Sequence, residues 1–301
     1  MLDPHVIDIF RVPVGKKFKL KDHDPGWVGT DEMKELGKDE LKERAQAILF
    51  ENRQHLHASQ DLLYADNRYS VLIILQGMDA SGKDGTIEHV MAGMNPQGCD
   101  VHSFKKPTPE ELDHTFLWRC SRRLPERGRI GIFNRSYYED VLIVKVHPQL
   151  IASYPTYEKV GKKFWAHRYQ DINAFERHLM RNGTVVLKFF LNVSRKEQKR
   201  RFIERIDKPE KNWKFNVGDV EERGYWKDYM QAYQDALSAT STKWAPWYVI
   251  PADHKWVARA LIADIVTSTV RELDLSFPVL SDDQKTALTE ARLLLAAEEE
   301  R

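Results

Sequence analysis

Chemistry in this chain concentrates in stretches whose residue types and spacing suit phosphate handling. The clearest is Gly77-Met78-Asp79-Ala80-Ser81-Gly82-Lys83-Asp84-Gly85-Thr86, with the Gly-x4-Gly-Lys spacing from Gly77 through Gly82 to Lys83. Glycines let the backbone coil closely around an oxyanion, and successive N–H groups form a nest for it. A helix starting at Lys83 aims its positive dipole end at the same phosphate, and the lysine adds a mobile point charge. The residue after Lys83 is Asp84, not the Ser or Thr that most such loops use to hold Mg2+, and Asp79 lies inside the loop. Carboxylates beside an anionic phosphate repel it unless a divalent cation bridges them, which predicts a metal-dependent site. Asp84 also suits the first turn of a helix, so a dipole role and a ligand role both stand for it.

A second stretch, Asn134-Arg135-Ser136-Tyr137-Tyr138-Glu139-Asp140, follows the apolar run Arg129–Phe133. Ligands of open α/β sheets bind outside the carboxyl ends of strands. There Asn134 suits a metal shell, Arg135 a transition-state clamp, and Glu139 and Asp140 metal binding or nucleophile positioning. The third stretch, Arg195–Lys214, carries nine basic residues against four acidic ones in a chain whose net charge is +1. It breaks at Asp207-Lys208-Pro209-Glu210, which predicts a helix, turn, helix flap that closes over phosphates with Arg200, Arg201, Arg205, Lys208, Lys211 and Lys214. Arg119, Arg122 and Arg123 form a smaller basic group near Trp118.

These groups need a scaffold. Val71–Gln76 is an uninterrupted apolar run that reads as a buried parallel strand ahead of the loop. Ile87, Val90, Met91 and Met94 mark an amphipathic helix after it. Further strands are expected at Val101–Phe104, Arg129–Phe133, Thr184–Leu191 and Trp247–Asp253, alternating with helices. That alternation implies right-handed βαβ units and a five-stranded parallel sheet between helical layers, a three-layer α/β/α fold with a basic lid. Helices are expected over Thr30–Ala65 with Thr30 as N-cap, Thr108–Leu124, Pro155–Arg181, Asp219–Ser241, 254–274 and 282–299. The aromatics of Asp219–Ser241 (Tyr225, Trp226, Tyr229, Tyr233) are read as core. Prolines, glycines and the cluster Lys16, Lys17, Lys19, Lys21 make residues 1–30 an extended segment draped over the domain. One side of the last helix is rich in leucine, which suits packing on the domain or self-association equally.

Composition narrows the class. With 42% hydrophobic and 30% charged residues, the chain is that of a soluble globular protein able to bury a sizeable core. Cys99 and Cys120 have neither metal-site spacing nor a disulfide framework and are read as reduced thiols in or near the core. No apolar run reaches about 18 residues and no secretion-signal pattern opens the chain, so a cytoplasmic protein without membrane contact is expected. No nucleic-acid-binding motif is present, and nucleic acid is not expected as a partner.

On Gly77–Thr86, Phe133–Asp140 and Lys208-Pro209-Glu210-Lys211-Asn212-Trp213-Lys214-Phe215, the sequence resembles the type-2 polyphosphate kinases from about Lys16 to Leu273. The resemblance implies a phosphate-loop kinase fold similar to that of thymidylate kinases, over residues 31–275, with a lid at about 195–218 and a separate C-terminal helix at 276–301. It implies Mg2+-dependent transfer of a terminal phosphate between inorganic polyphosphate and a nucleotide, with Mn2+ as a substitute and no protein nucleophile. Adenine nucleotides, with guanine as an alternative base, and a homodimer or homotetramer belong to the same expectation. So do the roles assigned to Asp79, Lys83, Asn134, Arg135, Glu139 and Asp140, and a polyphosphate path over Arg119, Arg122 and the lid cations. Many members carry Asp where this chain has Asn134, as a second metal-binding carboxylate beside that of Asp79. The Asn-Arg-Ser-x-Tyr-Glu-Asp version is similar to a subgroup that accepts both nucleoside mono- and diphosphates, and it leaves Glu139 or Asp140 to supply the missing charge. Competing with this are an ATP-dependent nucleoside monophosphate kinase and a non-catalytic polyanion-binding protein.

Overall fold

A computed structural model describes residues 2–16, 18–153 and 158–298. Among these, β1 (Ser70–Gln76), β2 (Cys99–Ser103), β3 (Ile130–Asn134), β4 (Thr184–Asn192) and β5 (Trp247–Pro251) form one parallel sheet in the order β2-β3-β1-β4-β5. Every residue of β1 is buried, as a central strand covered on both faces requires. One helical group comprises α1 (Lys38–Asp66), α2 (Lys83–Val90) and α6 (Lys255–Arg271), with α6 packed against both α1 and α2. The other comprises α3 (Lys162–Arg181) and α5 (Trp226–Thr240), which pack on each other, α3 also on β4. Between β4 and α5 lie α4 (Arg195–Asp207) and a 3-10 segment, Pro209–Lys214, the helix, turn, helix pattern expected of the lid. A last helix, α7 (Asp282–Glu298), has no buried residue.

Register explains why the functional loops meet. Leu75 of β1 pairs with Asn134 of β3, and Gln76 with Phe190 of β4, so the loops leaving these strands emerge side by side at the carboxyl edge. Backbone hydrogen bonds extend the alignment past the ladder, with Arg135 N–H donating to Leu75 O at 3.0 Å.

The N-terminal residues act as a strap on the sheet. Val12 N–H donates to Trp247 O at 2.9 Å and Val249 N–H to Phe10 O at 2.8 Å, closing an antiparallel bridge on the outer edge of β5. Such a cover blunts an edge that would otherwise be free to pair with another chain. The strap is not extended throughout: Pro4–Asp8 is a helix capped by Asp3, and Leu20–Asp22 is a 3-10 turn. Lys17 of the expected basic cluster lies outside the described residues.

Several expected helices are shorter. Thr30 caps its helix, but that helix spans Asp31–Lys34, and α1 begins anew after Gly37, whose φ of 80° ends the first turn. The helix expected to run to Leu124 is two single turns, Pro109–Leu112 and Trp118–Ser121; the capping box of Thr108 and Glu111 forms, but Asp113 ends the first turn. Short polar side chains there compete for backbone bonds. At the start of α3, residues 155–157 lie outside the described residues, and helix begins only at Lys162. Asp219–Ser241 divides at Gly224 into Gly218–Glu222, a 3-10 turn and α5. Residue 299, the last expected in the C-terminal helix, lies outside the described residues. Cys120 is buried and Cys99 partly so, both as free thiols.

Candidate active site

The loop between β1 and α2 has the backbone its spacing demands. Gly77 has a φ of 156°, and a Cβ there would stand 2.7 Å from Ser81 Oγ and 2.9 Å from Leu191 O, so only glycine fits. Ala80 lies in the left-handed region at φ 58°, a conformation that costs a non-glycine residue about 1–2 kcal/mol. Strain of this kind persists where surrounding contacts enforce it. Here they come from α4. Gln198 Nε2 donates to Asp79 O at 2.9 Å, and Arg201 Nη1 donates to Ala80 O at 2.9 Å and Ser81 O at 2.8 Å.

Lys83 is buried and folds back over the loop, donating to Gly77 O at 2.7 Å and Met78 O at 3.2 Å. Burial and the neighbouring Arg135 push its pKa down to about 8, against the pull of Asp79, Glu139 and Asp84. A phosphate entering the nest would give this ammonium a fully charged acceptor in place of two carbonyls.

Arg135 also sits in the left-handed region, at φ 65°, and its Nη2 donates to Asp79 Oδ1 at 2.7 Å. Burial opposes its charge, yet Glu139 and Asp79 hold its pKa above the ordinary value. Asn134 Nδ2 donates to Asp84 Oδ1 at 2.7 Å. With its amide nitrogen facing Glu139, Gln76 donates to Glu139 Oε1 at 2.9 Å and accepts from Ser136 N–H at 3.0 Å. The mouth of the loop is therefore ringed by Asp79, Lys83, Asp84, Asn134, Arg135 and Glu139, drawn from the first two stretches the sequence singles out.

Asp140 faces a different neighbour. It is buried and acts on the Cys120 thiol, whereas the carboxylates acting on Lys83 and Arg135 are Asp79, Asp84, Glu139 and Asp219. Among the described residues no three His, Cys, Asp or Glu side chains form a metal cage, so Asp79, Glu139 and Asp140 do not converge as one ligand set. Asp79 and Asp84 at the loop still fit Mg2+, which takes one or two protein carboxylates and completes its shell with phosphate oxygens and water.

The cations of Arg195–Lys214 divide. Arg201 is buried, its other bonds going to Glu197, Ala252 O and Asp253 O, and it braces the loop from beneath instead of facing solvent. Arg200 pairs with Glu197 and Glu204, Lys208 and Lys211 with Glu204, and Arg205 lies 3.8 Å from Asp219. Lys214 rests over the Trp213 ring. Arg119 is buried and spent on Lys105 O (2.8 Å) and the Phe104 ring, while Arg122 stacks on Trp118.

Other site residues escape a reading of the sequence. Asp219 has its pKa raised by burial and by Asp79, which places a further carboxylate near the loop. Tyr233 is core, as expected, but its hydroxyl reaches the Gly77 backbone and it feels Glu139 and Arg135. Beneath the Asn134–Asp140 segment, Glu176 accepts from Tyr137 Oη at 2.9 Å, Tyr138 Oη at 2.8 Å and Lys188 Nζ at 2.6 Å, all fully buried. A lysine inside the apolar run of β4 was the one available signal for this network.

Known proteins resemble this chain over most of its length. A family model described as Polyphosphate kinase 2 matches residues 39–277. An ADP-polyphosphate phosphotransferase of Rhodopseudomonas palustris is 50% identical over 275 residues, covering 88% of this chain and 95% of the relative. An AMP/ADP-polyphosphate phosphotransferase of Meiothermus ruber is 44% identical over 269 residues, covering 89% and 94%. The crystal structure of Polyphosphate Kinase 2 from Arthrobacter aurescens superposes with a TM-score of 0.81 at 37% identity, covering 94% of this chain and 96% of the other.

Proposed function

The chain belongs to the polyphosphate kinase 2 family, and from that premise we propose how its site works and on which acceptors. It is a polyphosphate-dependent nucleotide kinase: the terminal phosphate of inorganic polyphosphate passes to a nucleotide, reversibly. The observation that carries the mechanism is the convergence of Lys83, Arg135 and Asp79 on the mouth of a strained loop. Phosphoryl transfer has a loose transition state with charge on the peripheral oxygens, so alignment and charge neutralisation are what a protein must supply.

The loop N–H groups and Lys83 hold the donor's terminal phosphates, and Arg135 leaves Asp79 to clamp the group in flight. A phosphate oxygen of the acceptor nucleotide attacks the terminal phosphorus in line, and the shortened chain leaves with the bridging oxygen; no protein nucleophile takes part. Asp79, with Asp84 beside it, would hold Mg2+ or Mn2+. The chemistry such an ion would supply there is positive charge to offset that of the phosphates. Glu139, anchored by Gln76 and acting on both Lys83 and Arg135, supplies the charge that Asn134 lacks.

We assign AMP and ADP, with adenine preferred, as acceptors on the Asn134–Asp140 segment and on the names of the two relatives. Among the described residues no helix is long and apolar enough to cross a membrane. Free Cys99 and Cys120 suit a reducing cytoplasm, and exposed Leu288, Leu293, Leu294 and Leu295 around α7 are apolar surface that a homo-oligomer would cover. The acceptor assignment is tested by supplying AMP and ADP separately with long-chain polyphosphate and Mg2+. Nucleoside triphosphate from both is expected; product from ADP alone would reject the dual assignment.

A further inference from the structure

A cleft of about 370 Å³ opens between α1, α2 and α6, lined by Leu49, Phe50 and Arg53 of α1, His89 of α2, and Trp256 and Arg259 of α6. It adjoins the phosphate loop through one close contact: a Cβ on Gly85, in the first turn of α2, would stand 3.3 Å from Arg259 Nη2. The Arg259 guanidinium thus lies against the helix that begins at Lys83.

The arginines of this cleft carry more charge than the protein itself neutralises. Arg53 uses its Nε on His89 O, and its terminal amino groups have no partner among the described residues. No hydrogen bond or ion pair among the described residues holds Arg259. Burial, Arg53 and Arg201 all lower the pKa of Arg259, opposed only by the carboxylate of Glu88, whose side chain is 76% exposed. Lys255, one turn before Arg259 on α6, is lowered in the same way by burial, Arg201, Arg259 and Lys211, with Glu204 opposing. Cations acting on Lys255 and Arg259 therefore run from Lys211 in the 195–214 segment to Arg53 in the cleft. An extended polyanion would relieve that repulsion, and the stems of both arginines lie in the cleft beside Leu49, Phe50 and Trp256.

We propose that this cleft is a binding subsite for the distal phosphates of the donor chain, which leaves the loop over Lys255 and Arg259 and reaches Arg53. The inference rests on polyphosphate being the donor, and it gives the enzyme a physical basis for preferring long chains: a chain of three phosphates is held at the loop, whereas a longer one gains the cleft as well.

The test compares kcat/KM for long-chain polyphosphate and for tripolyphosphate, with saturating ADP, in the wild type, Arg53→Ala, Arg259→Ala and Arg259→Lys. A ratio taken within one variant does not depend on how much of it is folded. Loss of one charged phosphate contact should lower the long-to-short ratio about tenfold in each alanine variant. Arg259→Lys, which keeps the charge, should recover part of it. A ratio within about twofold of wild type in both alanine variants, on the same scale, would overturn the subsite while leaving the donor reading intact. Absence of transfer from either donor in the wild type would overturn the donor reading, and the subsite with it.

Discussion

Replacing Glu176 by Gln removes one charge from a fully buried network and changes almost no volume. In the native structure that carboxylate takes hydrogen bonds from Tyr137, Tyr138 and Lys188, while Lys188 Nζ also donates to Thr240 O at 2.7 Å and Tyr138 Oη at 3.0 Å. Breaking a buried ion pair by removing one partner costs about 3–5 kcal/mol, because the other charge is left uncompensated. Burial already lowers the Lys188 pKa and Glu176 opposes that shift, so without the carboxylate the lysine can shed its proton. This relief places the expected loss near the lower end, about 3 kcal/mol. Urea unfolding of wild type, Glu176→Gln, Lys188→Met and the double variant would give the coupling directly. A coupling of about 2 kcal/mol or more is expected, together with a fall in kcat/KM in the folded Glu176→Gln protein, because Tyr137 and Tyr138 anchor the segment that carries Arg135 and Glu139. A loss below about 1 kcal/mol for Glu176→Gln would refute the claim that this network holds the segment in place.

Other consequences are equally direct. Lys83→Met should fold and lose about a thousandfold or more in rate, and near-normal turnover by the folded variant would remove Lys83 from the mechanism. Because the Lys83 pKa is lowered to about 8 in the free protein, the fraction carrying the ammonium falls as pH rises through that value. The kcat/KM profile should therefore decline above it by about tenfold per pH unit, and a profile still flat at about pH 9.5 would contradict the assignment. Gly77→Ala forces a Cβ to within 2.7 Å of Ser81 Oγ, and both stability and phosphate binding should suffer; a variant of wild-type activity would mean that the loop relaxes freely.

The chain's own order made much of this readable. Strand, loop and helix from Val71 to Val90 were legible because their signals are local: an apolar run, glycines at fixed spacing and an amphipathic repeat. Arg135 was legible because it follows a strand at the carboxyl edge. Arg201 belongs to a charged run that reads as a flap over phosphates, and only tertiary packing shows that one member of the run turns inward to Ala80 O and Ser81 O. Gln198, Asp219, Tyr233 and the Glu176–Lys188 pair reach the site from elements distant in sequence, and no local pattern marks them. Spacing alone does not show that the 3-10 turn over Tyr137–Val141 buries Asp140, adjacent to Glu139 in sequence, where it acts on Cys120.

The central claim is that condensed inorganic phosphate is the donor. Its most direct measurement is nucleoside triphosphate formation from ADP by the purified protein, with long-chain polyphosphate as sole donor, in the presence and absence of Mg2+. Triphosphate should accumulate as polyphosphate is consumed, only with the metal, and not with Lys83→Met. Transfer from ATP to AMP, with none from polyphosphate to either nucleotide, would instead identify a nucleoside monophosphate kinase, and salt-sensitive polyphosphate binding without any transfer would contradict the account altogether.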